Sequence, residues 1–543
     1  MIGVAVSKQD AQIAEEFFEL FKTPWEWVVP GKRYGVILAA NTEIEHSDAD
    51  LFIVYGSGEC LLDCEAGIHA TPVSGPVSVE WQQWSLPICG GVALLESHDG
   101  GGGLLNVRGK SVDCRFHREG RVIRRIGYNL FDEVRCLLAT GQPVAHALTP
   151  TLELHIALLR YLLIDSKIPF VEILPRPAGY DFICCLTHDV DFFGIRRQRF
   201  DRTMAGFLYR SSIGSLIDWL RGRRTLAEMC KNWWACCSLP FVFAGLCTDF
   251  WRPFKDYADI EDPRKSTFFL LPFRGIPGVA PDGTTKAWRA APYGISDVQE
   301  EVRDAACRGS EIGLHGIDAW RESDAGNREM KQVTSLTEKK PVGIRMHWLY
   351  FDGESPSRLE KAGFDYDSTC GYNETVGYRA GTAQAFRPLG CTTLMELPML
   401  IMDSALFSRE RMNLHWRSAL QLCEQVVNNA RRFGGTLVIN WHERSLVPER
   451  LWGNAYRELL EMISTGEPVW FATAGEAVQW FRWRRSIRFD ANGPSAAGDI
   501  HVTAPTSMKQ GAVARIFSPG RLGSNVKDVS FDGTASLAIA VST

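Results

Sequence analysis

The chain has 543 residues, a net charge of −5 and 45% hydrophobic residues. That length exceeds one ordinary domain, so two or three are expected, with enough apolar content for a substantial core. The small net charge excludes a general nucleic-acid binder, and no run of about 18 uncharged apolar residues marks a transmembrane helix.

Met1 to Asp10 lacks the basic stretch and apolar core of a signal peptide. Fifteen cysteines without a CxxC pair read as reduced thiols. Both features point to a cytoplasmic protein. The 17 Trp and 29 Phe suit a core, and also a carbohydrate-binding cleft.

In chain order, residues 1–150 form a mixed α/β accessory domain. Gly35–Ala40 and Ala49–Tyr55 read as short strands, and Asn106–Arg108 and Cys114–Phe116 as further β structure. Gly100–Gly103 is a turn. Gly109-Lys110-Ser111 invites a phosphate-loop reading, but Leu104 stands where that loop needs glycine. Residues 151–177 are a helix, Thr151 to Ile164, and a Pro-bearing linker.

Residues 178–488 carry the main domain, interrupted by an insertion over 195–263. The insertion's first half is basic (Arg196, Arg197, Arg202, Arg210, Arg221, Arg223), and its second half is rich in Trp and Cys. It is either a pair of solvated helices packed on the domain or a lid whose arginines meet an anionic substrate. Residues 492–543 read as a small β-rich appendage, with Asp532-Gly533 as a turn.

The chemistry sits at strand ends. The apolar run Ile183–Leu186 leads into Thr187-His188-Asp189-Val190-Asp191. A period of two sends Asp189 and Asp191 to the same side. Two such carboxylates repel, so a bound cation or one raised pKa is expected. Ser266–Pro272 is a second buried strand. Glu311–Gly316, Gly343–Trp348 and Thr436–Arg444 each end on His or Arg. Short β runs with chemistry at their C-terminal ends, separated by helix-length segments, are how a parallel α/β barrel presents a site.

Thr187–Asp191, Gly313-Leu314-His315-Gly316 and Leu437–His442, in that order, resemble the polysaccharide deacetylase family, the NodB-homology or carbohydrate esterase family four-like enzymes. The resemblance covers roughly residues 178 to 485. It implies an α/β fold built as a distorted parallel (β/α) barrel and a divalent metal, usually zinc. It also implies hydrolysis of N-acetyl, O-acetyl or related C–N bonds in a carbohydrate or acylated amine. It places the general base on Asp189, metal ligands on Asp191 and His315, the arginine that pairs with the base on Arg345, and the general acid on His442.

Asp367 falls in a later motif, to polarise His442 or to hold Arg345. Where the family has a second histidine four positions after His315, this chain has Ala319; Asp318 or His347 could supply the missing donor. Trp348, Tyr372, Arg379 and Trp441 are expected around the substrate. Two other readings stay open: an amidohydrolase of a small cytosolic C–N substrate, and a catalytically idle carbohydrate-binding member.

Overall fold

The computed structural model describes residues 1–42, 48–97, 103–198, 201–337, 342–490, 499–520, 523–533 and 537–540. The chain divides into two units. One gathers Met1–Gly179, Tyr378–Leu389 and Trp480–Thr543, and the other Tyr180–Gly377 and Gly390–Gln479. The break at Gly179 leaves residues 151–177, expected as helix and linker, within the first unit.

The first unit is built on a six-stranded sheet. Its order is Asp113–Arg118, Arg121–Ile126, Asp48–Tyr55, Arg33–Ala40, Ile2–Ala5 and Trp25–Trp27. The outer pair Asp113–Arg118 and Arg121–Ile126 is antiparallel and all other neighbours are parallel. Val36–Ala40 and Leu51–Tyr55 are buried throughout, as parallel strands covered on both faces should be. Lys110–Ser111 forms a short antiparallel pair with Asn106–Val107, which is turn geometry and not a phosphate loop. Most of the expected Gly100–Gly103 turn lies outside the described residues.

The C-terminal segment is built into this unit rather than appended to it. Phe170–Ile173 pairs antiparallel with Ala512–Gly520, which in turn pairs with Gly523–Phe531. A two-stranded ribbon is marginal alone, and the third strand supplies a partner from the stretch expected to be linker. Arg484, buried, donates to the carbonyls of Leu174, Ile173, Glu19 and Leu20. One guanidinium thus satisfies carbonyls of two different segments.

The second unit carries a parallel sheet. Its order is Met395–Glu396, Tyr366–Asp367, Gly343–Met346, Glu311–Gly316, Ser266–Leu270, Ile183–Val190, Thr436–Asn440 and Ile401–Met402, with Trp470–Phe471 also paired to Ile183–Val190. The two edge strands are consecutive in the chain, separated only by Leu397–Leu400. Five peptide steps reach at most about 18 Å, whereas eight strands laid flat would span about 34 Å. The sheet must therefore curl until its edges face one another, which makes a distorted barrel. Leu397 donates to Asp367 on one edge and Leu400 to Val438 on the other.

The insertion is helical: Arg202–Tyr209, Ser215–Leu220, Leu226–Phe243 and Pro253–Glu261. Ile195, Met204, Phe207, Leu239, Val242 and Trp251 form its own small core, which reaches Val447 of the same unit. No helix among the described residues is long and apolar enough to cross a membrane.

Candidate metal and acid–base site

Parallel strands end on one rim of the barrel, and the reactive side chains collect there. Ile183–Val190 is buried along its whole length. Its alternation sends Thr187 and Asp189 inward. His188 turns outward, 3.8 Å from the Tyr257 ring, with Nε2 3.0 Å from Glu261.

Asp189 is clamped on both oxygens. Arg345 Nη1 donates to Oδ1 at 3.0 Å, and Asn440 Nδ2 donates to Oδ2 at 2.7 Å. The Asp189 amide donates back to Asn440 Oδ1 at 3.2 Å. Arg345 is fully buried and also donates to Thr187 Oγ1, Ser368 Oγ and the Ser368 carbonyl. Its guanidinium lies 4.5 Å from the Phe269 ring centre. A Cβ on Gly313 would meet that ring at 2.7 Å, so glycine there lets the ring lie across the neighbouring strand. Burial alone would raise the Asp189 pKa. Arg345, with His315 and His442, outweighs burial and holds the carboxyl below its ordinary value.

Asp191, His315 and His347 offer donor atoms that all lie within 4.8 Å of one another. His315 Nδ1 donates to the Arg345 carbonyl at 3.0 Å, which turns its Nε2 toward Asp191 Oδ1 at 3.3 Å. His347 Nε2 lies 3.5 Å from the same oxygen. Tetrahedral bonds of about 2.1 Å set donors about 3.4 Å apart, so these three could hold one divalent ion. Burial drives the His347 pKa down to about 3, leaving a neutral imidazole, the form that ligates.

Of the two candidates for the donor missing at Ala319, the structure brings His347 to the cluster and leaves Asp318 out. Asp318 Oδ1 accepts from the Val279 amide at 2.9 Å, and Ala319 is buried.

His442 follows the Thr436–Asn440 strand. Its Nδ1 lies 2.6 Å from Asp403 Oδ1, and its amide donates to Oδ2 at 2.8 Å. The Ser445 hydroxyl donates to the same carboxylate. Burial alone would lower the imidazole pKa, but Asp403 overrides it and carries it up to about 9. The Asp403 carboxylate thus favours the protonated imidazole at neutral pH.

The expectation that Asp367 polarises His442 is corrected, because Asp403 occupies that position. Asp367 Oδ1 bonds locally, to the amide and hydroxyl of Thr369, as Asp does in a turn. On that strand Arg345 bonds to the Ser368 oxygens, and its positive charge favours the Asp367 carboxylate against the burial that raises its pKa.

The remaining expectations divide. Trp348 lines the cleft, its ring 5.1 Å from Trp288. Trp348 and Leu349 both have positive φ, 68° and 53°, and Asn373 Nδ2 holds the Trp348 carbonyl at 3.0 Å. Trp441 turns into the core, packed on Tyr456 and Phe407. Tyr372 is buried, and its neighbour Asn373 lines the cleft instead. Arg379 belongs to the first unit, where its carbonyl accepts from Gln142.

Asn440 and Glu443 were not anticipated. Asn440 is the last residue of its strand, a polar end that could have been flagged. Glu443 Oε2 accepts the Asp191 amide at 3.1 Å, and burial together with Asp191 pushes its carboxyl up to about 7.

No family model and no curated protein matches the chain. Among solved structures it is similar to one from Mycobacterium smegmatis assigned as a polysaccharide deacetylase, at 18% identity and TM-score 0.34, over 57% of this chain and 95% of that one. It is also similar to Puue allantoinase, at 13% identity and TM-score 0.34, over 59% and 94%. A third similar structure, from Pseudomonas aeruginosa PAO1 and assigned as a polysaccharide deacetylase, has 18% identity and TM-score 0.28, over 35% and 65%.

Proposed function

We propose that the protein is a metal-dependent hydrolase that removes an acyl group, in the first instance N-acetyl, from a sugar or sugar-related substrate. One observation carries the proposal. A carboxylate held ionised and an imidazole held protonated line the same cleft as a three-donor cluster suited to a divalent ion.

Asp191, His315 and His347 would hold the ion, and an Asp-His-His set suits zinc. Bound there, it would supply Lewis acidity to the acyl carbonyl and to water. Asp189 accepts the water proton, and Arg345 and Asn440 keep its carboxylate aimed and anionic. His442 carries a proton on Nε2 for the leaving nitrogen, while Asp403 holds Nδ1. Glu443, on the Asp191 amide, fixes the turn that presents the carboxylate.

The cleft encloses about 580 Å³ and is walled by Trp288, Trp348 and Arg289. That volume suits a drug-sized ligand, and so favours one or two sugar rings over a long polymer segment. It also supports the second reading, a small C–N substrate.

The test pairs elemental analysis with acetate release from N-acetylated mono- and oligosaccharides. About one zinc per chain, lost in His347→Ala, together with acetate release is the expected result. A chain that takes up no metal when zinc is supplied would overturn the proposal in favour of an idle scaffold. Metal without acetate release would move the search to other C–N substrates.

A further inference from the structure

The helical insertion exposes large apolar side chains where a water-facing surface is ordinarily charged. Helix Leu226–Phe243 buries Met229, Asn232, Ala235, Leu239 and Val242. Its opposite side carries Leu226, Trp233, Trp234 and Phe241, all exposed; Phe243 is exposed at the helix C-terminus, and Lys231 is the one exposed charge along the helix. At about 100° per residue, positions 226, 230, 233, 237 and 241 form a single stripe.

Leu220 before the helix is 70% exposed, Trp234 on it 72%, and Leu246 after it 75%. Among the described residues, ten of the eighteen exposed large hydrophobics lie between Tyr209 and Leu246. They are concentrated in one stretch of the chain, on the short helical insertion, rather than scattered along it.

The charge along the segment is predominantly basic. From Arg202 to Cys247 there are six basic residues and two acidic ones, in a chain whose net charge is −5. Both acids are engaged: Asp218 lies 3.8 Å from Arg224, and Glu228 accepts from the Thr225 amide. Arg221 and Arg223 stand exposed immediately before the helix. Exposed Trp and Phe on a helix, flanked by the exposed cations Arg221 and Arg223, match the polarity profile of a bilayer interface. There the rings enter the acyl boundary and the cations meet lipid phosphates. The helix is not long and apolar enough to span a bilayer, so it would lie in the interface plane.

We propose that this face docks the protein onto an anionic lipid bilayer. Thr203, in the same insertion, lines the cleft, so the patch and the candidate site share one piece of structure. The docking does not depend on the hydrolase proposal.

The test is flotation of the full chain with vesicles of phosphatidylcholine and phosphatidylglycerol in equal parts, and with phosphatidylcholine alone. The protein is expected to float with the mixed vesicles, with a blue shift of Trp fluorescence. Replacing Trp234→Ser with Leu246→Ser should lower partitioning by at least about tenfold. Arg221→Glu with Arg223→Glu should weaken binding to the mixed vesicles and leave phosphatidylcholine binding unchanged.

Both pairs are exposed, and unchanged thermal melting would confirm that the variants fold. Failure of the wild type to float would overturn the proposal, as would flotation insensitive to the Trp234 and Leu246 changes. Concentration-dependent self-association of the wild type, abolished by those same changes, would assign the face to a second copy of the chain instead.

Discussion

The two sides of the cleft hold opposite charges by different means. On one side Asp189 sits inside the barrel rim, tied by side chains from two other strands, Arg345 and Asn440. On the other, His442 lies beyond its strand and owes its charge chiefly to Asp403, with Asp191 and Asp189 adding to it. The first is a network in which the loss of any member leaves buried charge behind, and the second is a pair. The Asp189 side should therefore respond to mutation through stability and rate together, and the His442 side chiefly through pH dependence.

The largest expected effect tests the base. Asp189→Asn keeps the shape and removes the anion, so turnover should fall by about 10²–10⁴-fold while elemental analysis still finds the metal. Near wild-type acetate release would remove Asp189 from the mechanism. Next, Arg345→Met leaves a buried carboxylate without its cation. A loss of about 3–5 kcal/mol is expected, measured by denaturant unfolding, and a change under 1 kcal/mol would mean that Asn440 alone suffices.

Asp403→Asn sharpens the contrast. In the wild type His442 donates its proton below about pH 9, and the rate should fall as pH rises through that value. Without the Asp403 anion, burial is less opposed and the imidazole pKa drops toward or below its usual 6.5 or so. The alkaline limb of the pH–rate profile should then move to lower pH by roughly 2.5 units or more, with activity retained in mildly acid buffer. An unmoved limb would show that another group is the acid. The smallest effect belongs to Trp441→Phe. Its ring is in the core, so a modest stability change, about 1–2 kcal/mol, with kcat/KM unaltered is expected; a KM effect would return Trp441 to the substrate.

Local chemistry made part of this legible. Asp189, Asp191, His315, Arg345 and His442 each end or follow a strand, and the alternation of a strand is enough to predict that such residues share a rim. Asp367 was misplaced because a short Asp-Ser-Thr segment bonds to itself, which sequence order alone does not distinguish from a reach across the site. Asp403 stands 39 residues from His442, at the other end of a helix-and-strand excursion. Trp441 was misjudged because one step along a chain leaving a strand decides between cleft and core. The C-terminal β segment looked separate because its partner strand, Phe170–Ile173, lies more than 300 residues earlier.

By itself the amino-acid sequence determined the run of buried strands, the inward side of Ile183–Val190 and the donor types available at each strand end, because periodicity and side-chain chemistry are local properties. Only the tertiary structure decided that His347, rather than Asp318, joins Asp191 and His315, and that Asp403, rather than Asp367, holds His442. Those choices depend on how far neighbouring parallel strands extend and where the chain turns after them, and strand register is set by the packing of the whole barrel.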